Sequence, residues 1–259
     1  MMLHGKTAIV TGAGSGLGRA GALALARAGA AVLASDLDEG SARATVEAIT
    51  ASGGRARAQQ ADAGNAADAE RMVRAAVDGF GALHILYNNA GIAIPFADGF
   101  TPAIEPDVWD RVIRVNLSSV FYCSKYAIPE IAAAGGGAII NTASSMAHLP
   151  LGGMDGYAAS KGGVALLTRS MAVGCGALNI RVNAISPGYV DTPMNAMIFG
   201  SDALKSGFAK GHATGLQTPE EIAELVVFLA SDASRSLTGA VLNCDRGWTA
   251  FKQPDLLRG

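Results

Sequence analysis

The sequence predicts an α/β fold: a single doubly wound parallel sheet of about seven strands with helices on both faces. Two observations predict it. Short apolar, β-branched runs alternate with helix-length segments along the chain, and strands that are apolar throughout belong to parallel sheets covered on both sides. Glycine is also in excess, 33 of 259 residues, about twice ordinary usage. Four of these glycines fall between Gly12 and Gly18, directly after the first apolar run.

The elements follow in order. Thr7–Thr11 (TAIVT) is the first strand and leads to a small-residue helix over about 17–28; Ala31–Ser35 (AVLAS) leads to a helix over about 40–52. Arg55–Ala61 and Leu83–Asn88 are strands separated by a helix around 66–79. A long helix near 107–133 precedes the strand Ala138–Thr142, and a helix over about 157–173 precedes the strand Ile180–Ile185. A helix over 219–230 and the strand Ala240–Cys244 close the series. No Pro-, Ser- or charge-rich linker divides the chain and no repeat is evident, so residues 1–259 are read as one domain.

Composition narrows the function. With 50% hydrophobic and 16% charged residues the chain buries a sizeable core. Its net charge of −2 excludes nucleic-acid binding driven by bulk charge. Cys123, Cys175 and Cys244 lie far apart without a C-x-x-C spacing, which reads as buried small hydrophobes in a reducing compartment. The alanine-rich run from Gly21 to Ala34 is interrupted by Arg27, and no apolar window is long enough to span a membrane. No secretory signal is recognised at the start. A soluble cytoplasmic protein is the expectation.

The stretch Thr11-Gly12-Ala13-Gly14-Ser15-Gly16-Leu17-Gly18 turns the first strand into the first helix. Free N–H groups and the positive dipole end at such a turn attract a pyrophosphate, and glycines let it come close. The spacing is T-G-x-x-x-G-x-G rather than the general G-x-G-x-x-G. Asp36, twenty residues after Gly16, ends the second strand, where a carboxylate accepts ribose hydroxyls and repels a 2′-phosphate. Neither Ser15 nor Leu37 supplies a cation for that phosphate, so NAD is preferred over NADP. The plainer alternative makes Asp36 the start of a solvated loop with Asp38 and Glu39.

Tyr157-Ala158-Ala159-Ser160-Lys161 places a phenol and an ammonium one helical turn apart, on one face. The cation then favours the phenolate, suiting it to proton transfer. Alone this pair is weak, and its context carries the weight. Ser144 follows the strand ending at Thr142 and so lies at a carboxyl end, where ligands of such sheets bind. Its neighbour Ser145 is the turn or cap alternative. Asn116 interrupts the apolar helical stretch Val115–Phe121; such a break points to function or to a core amide satisfied by the backbone.

With these residues together, the chain resembles the classical short-chain dehydrogenase/reductases from about Gly5 to Trp248. The resemblance rests on TGAGSGLG at 11–18, Asp36, Asp62, Asn88-Asn89-Ala90-Gly91, Asn116, Ser144, YAASK at 157–161 and Pro187-Gly188-Tyr189-Val190-Asp191-Thr192. It implies a Rossmann fold and a homotetramer packed partly through the helices bearing Asn116 and Tyr157. It also implies that Tyr157 is the acid/base, that Lys161 lowers its pKa and holds the nicotinamide ribose, and that Ser144 hydrogen-bonds the substrate oxygen. Asn116 would hold a relay water, Asp62 would meet the adenine, Asn89 would anchor the sheet beside the cofactor, and Thr192 would bind the carboxamide.

On the same basis the cofactor lies against Gly12, Ser15, Gly16, Leu17 and Gly18, against Asp36 and Leu37, and against Asp62 and Ala63. Asn89, Ala90 and Gly91, then Pro187, Gly188, Val190 and Thr192, complete its contacts beside Tyr157 and Lys161. No metal is expected: His4, His84, His148 and His212 show no ligand spacing.

A substrate lid is placed at about 193–216, where Met194, Met197, Ile198, Phe199, Leu204 and Phe208 are apolar and Lys205 and Lys210 are the basic residues. Ile94 and Phe96 face it, and Ser144, Met146, His148, Tyr157 and Tyr189 complete the expected pocket. Large flexible apolar side chains suit a cyclic or aromatic secondary alcohol or ketone; the alternative is that they pack the lid onto the body, and that His148 is a loop residue. Two departures from the family pattern bear on assembly: Asp245-Arg246-Gly247 in place of Asp-Gly-Gly, and the helix-weakening Gly174-Cys175-Gly176. The competing functions are a 3-oxoacyl reductase, which Asp36 disfavours, and a catalytically silent nucleotide-binding scaffold, which the Asn116, Ser144, Tyr157 and Lys161 set argues against. A sugar-nucleotide epimerase would need a longer substrate domain.

Overall fold

The computed structural model describes residues 1–250. Seven strands, β1 (Thr7–Thr11), β2 (Ala31–Asp36), β3 (Ala56–Gln60), β4 (Ile85–Asn88), β5 (Gly137–Thr142), β6 (Ile180–Pro187) and β7 (Val241–Cys244), form one sheet in the order β3-β2-β1-β4-β5-β6-β7. Every pairing is parallel. This is the doubly wound arrangement of a Rossmann fold, and its order reverses between β1 and β4, where a crevice opens at the carboxyl ends.

Central strands are buried on both faces, which is why they read as apolar runs: β1 and β4 expose no residue. Helices α1 (Gly16–Arg27), α2 (Glu39–Ala51) and α9 (Pro219–Ala230) cover one face, with Leu25, Ile49, Ile222 and Val226 packed on Val10, Val32 and Ile140. Helices α3 (Ala66–Phe80), α5 (Ser119–Ala133) and α6 (Asp155–Cys175) cover the other, where Met72, Cys123, Ile131 and Cys175 meet Ile9, Leu86 and Ile139. A buried polar chain crosses this second face. Asn88 Nδ2 donates to Asn141 Oδ1 at 2.9 Å and to Ser124 Oγ at 3.1 Å, and Asn141 Nδ2 donates to Thr168 Oγ1 at 2.9 Å. Strands β4 and β5 are thereby locked to α5 and α6 immediately below the crevice.

The element boundaries lie within about two residues of those read from the sequence, apart from one helix. The expected helix near 107–133 is interrupted: α4 (Pro106–Ile113) passes through a π-helical segment, Arg114–Ser118, before α5 begins. The Ser119 N–H reaches back to the Arg114 carbonyl, the extra residue per turn expected of a π-bulge. Asn116 sits inside this bulge, and its side-chain amide is pulled out of the helix face to meet a neighbouring loop. Gly174 does not shorten α6, which runs on to Cys175.

Beyond β6 the chain leaves the sheet, forms the short helices α7 (Ala196–Phe199) and α8 (Asp202–Lys210), and returns to α9. Its stem is closed by a bridge between Val190 and Gln217. Arg246, which stands in place of the family's glycine, ties down the returning segment of this excursion. It adopts φ 47°, donates to the Thr214 carbonyl at 2.8 Å and pairs with Glu221 of α9.

Candidate active site

A cavity of about 720 Å³ runs along the carboxyl ends of β1 to β6 and is lined by the last residues of β1, β2, β5 and β6 and by the loops that follow β3 and β4. One half is built from backbone. Gly12 lies at φ 64°, and a Cβ there would come within 3.0 Å of the Ala90 Cα. At Gly18 a Cβ would meet the Gly12 carbonyl oxygen at 2.0 Å, so glycine is required for α1 to start this close to the turn. Thr11 Oγ1 accepts from the N–H groups of Asn89 and Ala90, both at 3.0 Å, and Asn89 Nδ2 donates to the Thr11 carbonyl at 3.1 Å. These bonds tie the end of β4 to the glycine turn.

The first turn of α1 carries no acidic residue and no side-chain cap from Ser15, while Ser15, Gly16 and Leu17 line the cavity. Free donors at a positive helix end fit a pyrophosphate. Asp36 is fixed across from them: its oxygens accept from Gly14 N–H at 2.8 Å and Asp38 N–H at 3.0 Å. Asp62 accepts from Gly64 N–H at 2.8 Å and from Arg114 Nη1 at 2.7 Å. The residues therefore suit a nucleotide stretched from Asp36 and Asp62 past the glycine turn towards Lys161.

At the centre stand Ser144, Tyr157 and Lys161, all lining the cavity. Ser144 caps the short turn after β5 and its Oγ accepts from the Met146 N–H at 3.1 Å. Lys161 is buried, its Nζ donates to the Thr142 carbonyl at 2.8 Å, and it stands 5.7 Å from the centre of the Tyr157 ring. A side chain at Gly91 would lie 3.3 Å from Asn116 Oδ1 and 3.4 Å from Lys161 Nζ, so its absence keeps the space before the ammonium open.

Burial pushes the Tyr157 phenol above its ordinary value, opposed by a hydrogen bond with Ser144. Burial also draws Lys161 down to about 8. Desolvation thus disfavours both charged forms.

Asn116 is fully buried. Its Oδ1 accepts from Ile92 N–H at 2.7 Å, and its Nδ2 donates to the Ile92 carbonyl at 3.0 Å and to Ser160 Oγ at 3.1 Å. The amide thereby fastens the loop after β4 to α6.

The other half of the cavity is made of side chains. Met146, Leu151, Met154, Tyr189, Met194, Met197, Leu204 and Phe208 line it. Tyr189 and Phe208 pack at 4.3 Å between ring centres, with Trp248 5.0 Å from Tyr189 behind them.

Of the expected residues, Leu37, Ala63, Ala90, Pro187, Gly188, Val190 and Thr192 also line the cavity, whereas six do not, the buried Asn116 among them. Gly18 is buried behind the turn. Phe96 is 88% exposed because its positive φ of 71° turns it outward, and Ile94 belongs to the same turn, its carbonyl accepting from the Asp98 N–H at 2.9 Å. His148 faces the sheet, where its ring bonds Ser186 Oγ at 3.1 Å. Phe199 carries Lys205 over its ring at 5.9 Å. Sequence reasoning missed Leu151, Met154, Arg111 and Arg114, which line the cavity without any local motif. Among the described residues, no three His, Cys, Asp or Glu side chains gather into a metal-binding group.

Comparison with known proteins agrees with this geometry. A family described as Enoyl-(Acyl carrier protein) reductase matches residues 12–249. A cis-4-hydroxycyclohexanecarboxylate dehydrogenase of Sinomonas cyclohexanicum is 42% identical over 95% of this chain and 97% of its own. A cyclohexanol dehydrogenase of Acinetobacter sp. is 40% identical over 95% and 96%. A 2,5-dichloro-2,5-cyclohexadiene-1,4-diol dehydrogenase of Sphingobium indicum is 38% identical over 95% and 97%. The chain belongs to the classical short-chain dehydrogenase/reductase family, whose members use a nicotinamide nucleotide.

Proposed function

We propose that this protein is an NAD-dependent dehydrogenase that interconverts an apolar cyclic secondary alcohol and its ketone. The observation that carries the reading is the divided cavity: a donor-rich, backbone-built half and a methionine-lined apolar half meet at Tyr157, Ser144 and Lys161. The names of three relatives, all acting on six-membered rings carrying hydroxyl groups, support the substrate class.

In oxidation the Ser144 hydroxyl hydrogen-bonds the substrate oxygen and the Tyr157 phenolate takes the hydroxyl proton. A bound nicotinamide would supply the hydride chemistry, with the carbinol carbon giving up hydride in oxidation and the carbonyl carbon receiving it in reduction. Lys161 would hold the nicotinamide ribose and, when charged, would favour the phenolate. Asn116, both of whose amide hydrogens are engaged, keeps a lone pair of Oδ1 for the water that relays the proton onward. Asp36 would accept from the adenosine ribose and reject a 2′-phosphate, while Asp62 would hold the adenine and Thr192 the carboxamide.

The helices α7 and α8 form the lid over the apolar half, spanning 193–216 of a single domain. Exposed Phe121, Leu166 and Val173 on α5 and α6 support a homotetramer packed through those helices. No described helix is long and apolar enough to cross a membrane, and Cys123, Cys175 and Cys244 are free, both consistent with a cytoplasmic enzyme.

A panel of cyclic, aromatic and acyl secondary alcohols, assayed with NAD⁺ and NADP⁺ by the absorbance of reduced cofactor, tests the proposal. Turnover of cyclohexanol-like alcohols with NAD⁺ is expected. Turnover confined to 3-hydroxyacyl thioesters with NADP⁺ would replace this reading with the acyl-reductase one.

A further inference from the structure

Asp98 lies in the loop between β4 and α4, outside every motif described above, yet it is fully buried. Its two oxygens accept from the backbone N–H groups of Gly156 at 2.8 Å and Tyr157 at 2.7 Å. A carboxylate is costly to bury unless its oxygens meet donors, and the first N–H groups of a helix lack partners within the helix. Met154, which precedes α6, provides no side-chain cap. The cap of the helix that bears the phenol therefore comes from a residue 59 positions before Tyr157.

The contact is built on both sides. At Gly156 a Cβ would lie 2.8 Å from Asp98 Oδ1, so the carboxylate comes this close because residue 156 has no side chain. A separate tether joins the same two segments: Asp155 Oδ2 accepts from Thr101 N–H at 2.9 Å and from Thr101 Oγ1 at 2.6 Å. The Tyr157 carbonyl is held as well, accepting from Ser160 Oγ at 2.7 Å, which in turn accepts from Asn116. The Tyr157 N–H is thus fixed directly by the loop after β4, and its carbonyl is linked to the same loop through Ser160 and Asn116, which bonds Ile92; Ile92, Ala93 and Pro95 of that loop line the cavity.

We propose that Asp98 is a positioning residue for proton transfer: by capping α6 at Gly156 and Tyr157 it sets the place of the phenol hydroxyl relative to Ser144 and Lys161. This rests on the reading of Tyr157 as the acid/base. A small misplacement of a reacting group costs about 10²-fold in rate, whereas nucleotide binding depends on the glycine turn and the acidic residues beyond it.

The test compares Asp98→Asn, Gly156→Ala and Asp155→Ala with the unsubstituted enzyme, using steady-state oxidation of cyclohexanol, NADH binding by fluorescence, and thermal unfolding. Asp98→Asn is expected to lower kcat by about 10- to 100-fold with KM for NAD⁺ and NADH affinity unchanged. Gly156→Ala, which displaces the carboxylate while keeping its charge, should show the same kcat-selective loss and serves if Asp98→Asn does not fold. Asp155→Ala, which frees Thr101 but leaves both contacts of Asp98 intact, should lower Tm and retain kcat. Full kcat in either Asp98→Asn or Gly156→Ala overturns the proposal, as does an equal loss of kcat in Asp155→Ala. Tyr157→Phe run alongside separates the two layers: if it stays fully active the acid/base reading itself fails, and if it is inactive while Asp98→Asn is unimpaired only the positioning role fails.

Discussion

The two halves of the cavity are constructed differently. The nucleotide half is made of strand ends, a glycine turn and helix N–H groups, held by short bonds such as those of Thr11 and Asn89. The alcohol half is made of side chains from the turn after β5, from Met154, and from the segment of α7 and α8 with the turn before it, where Met194 and Met197 are 45% and 54% exposed. A backbone-built site tolerates little change, because its geometry is set by φ values and close approach. A site built from flexible methionines tolerates substitution and can repack around different substrates.

Substitutions on either side sharpen this contrast. The largest effect is expected at the boundary, where Lys161→Met should lower kcat by about 10²- to 10⁴-fold and weaken nucleotide binding. Its stability effect has the opposite sign. The folded pKa of Lys161, about 8, lies below the ordinary 10.5, so the folded chain binds fewer protons between those values and gains stability as pH rises through that window. The penalty is present in full below pH 8. Lys161→Met should therefore be more stable than the unsubstituted protein below pH 8, with the advantage fading towards pH 10.5, as urea titrations at several pH values would register.

Next in size is Asp36→Asn, which keeps an acceptor for Gly14 N–H but removes the charge facing a 2′-phosphate. It should raise kcat/KM for NADP⁺ relative to NAD⁺ by about tenfold or more; an unchanged ratio would break the assignment of this half. On the other side, Met194→Leu and Met197→Leu should change kcat/KM by only a few-fold, with the preference among ring sizes shifting while KM for NAD⁺ stays constant. A large fall in nucleotide affinity would show that the halves are not separable.

The smallest effect is expected from Arg246→Ala. Its pairing with Glu221 is partly exposed, worth about 1 kcal/mol, so Tm should fall by a few degrees. KM for the alcohol should rise as the returning segment at Thr214 loosens.

Legibility in the sequence follows the same division. The glycine turn, Asp36 and Ser144 were readable because each is a local pattern next to a strand end, and Tyr157 and Lys161 because their spacing of four places them on one helix face. The seven strands were readable because burial on both faces makes them apolar. Phe96 and Phe199 were misplaced because hydrophobicity alone does not reveal which way a side chain turns; a positive φ at Phe96 reverses it. Leu151, Met154 and Asp98 left no local trace, since their roles arise only when distant segments meet. The π-bulge at Asn116 lay between these cases: the break in pattern was visible, its geometry was not.

The pH dependence of turnover bears on the phenol. Because burial raises the Tyr157 pKa, alcohol oxidation, which needs the phenolate, should rise with pH, and ketone reduction, which needs the phenol, should fall.

The central claim, that Tyr157 performs the proton transfer where the two halves meet, is tested most directly by the rate of cyclohexanol oxidation in Tyr157→Phe at saturating NAD⁺. The expected result is a loss of about 10²- to 10⁴-fold in kcat with NADH binding intact; an undiminished kcat would contradict it.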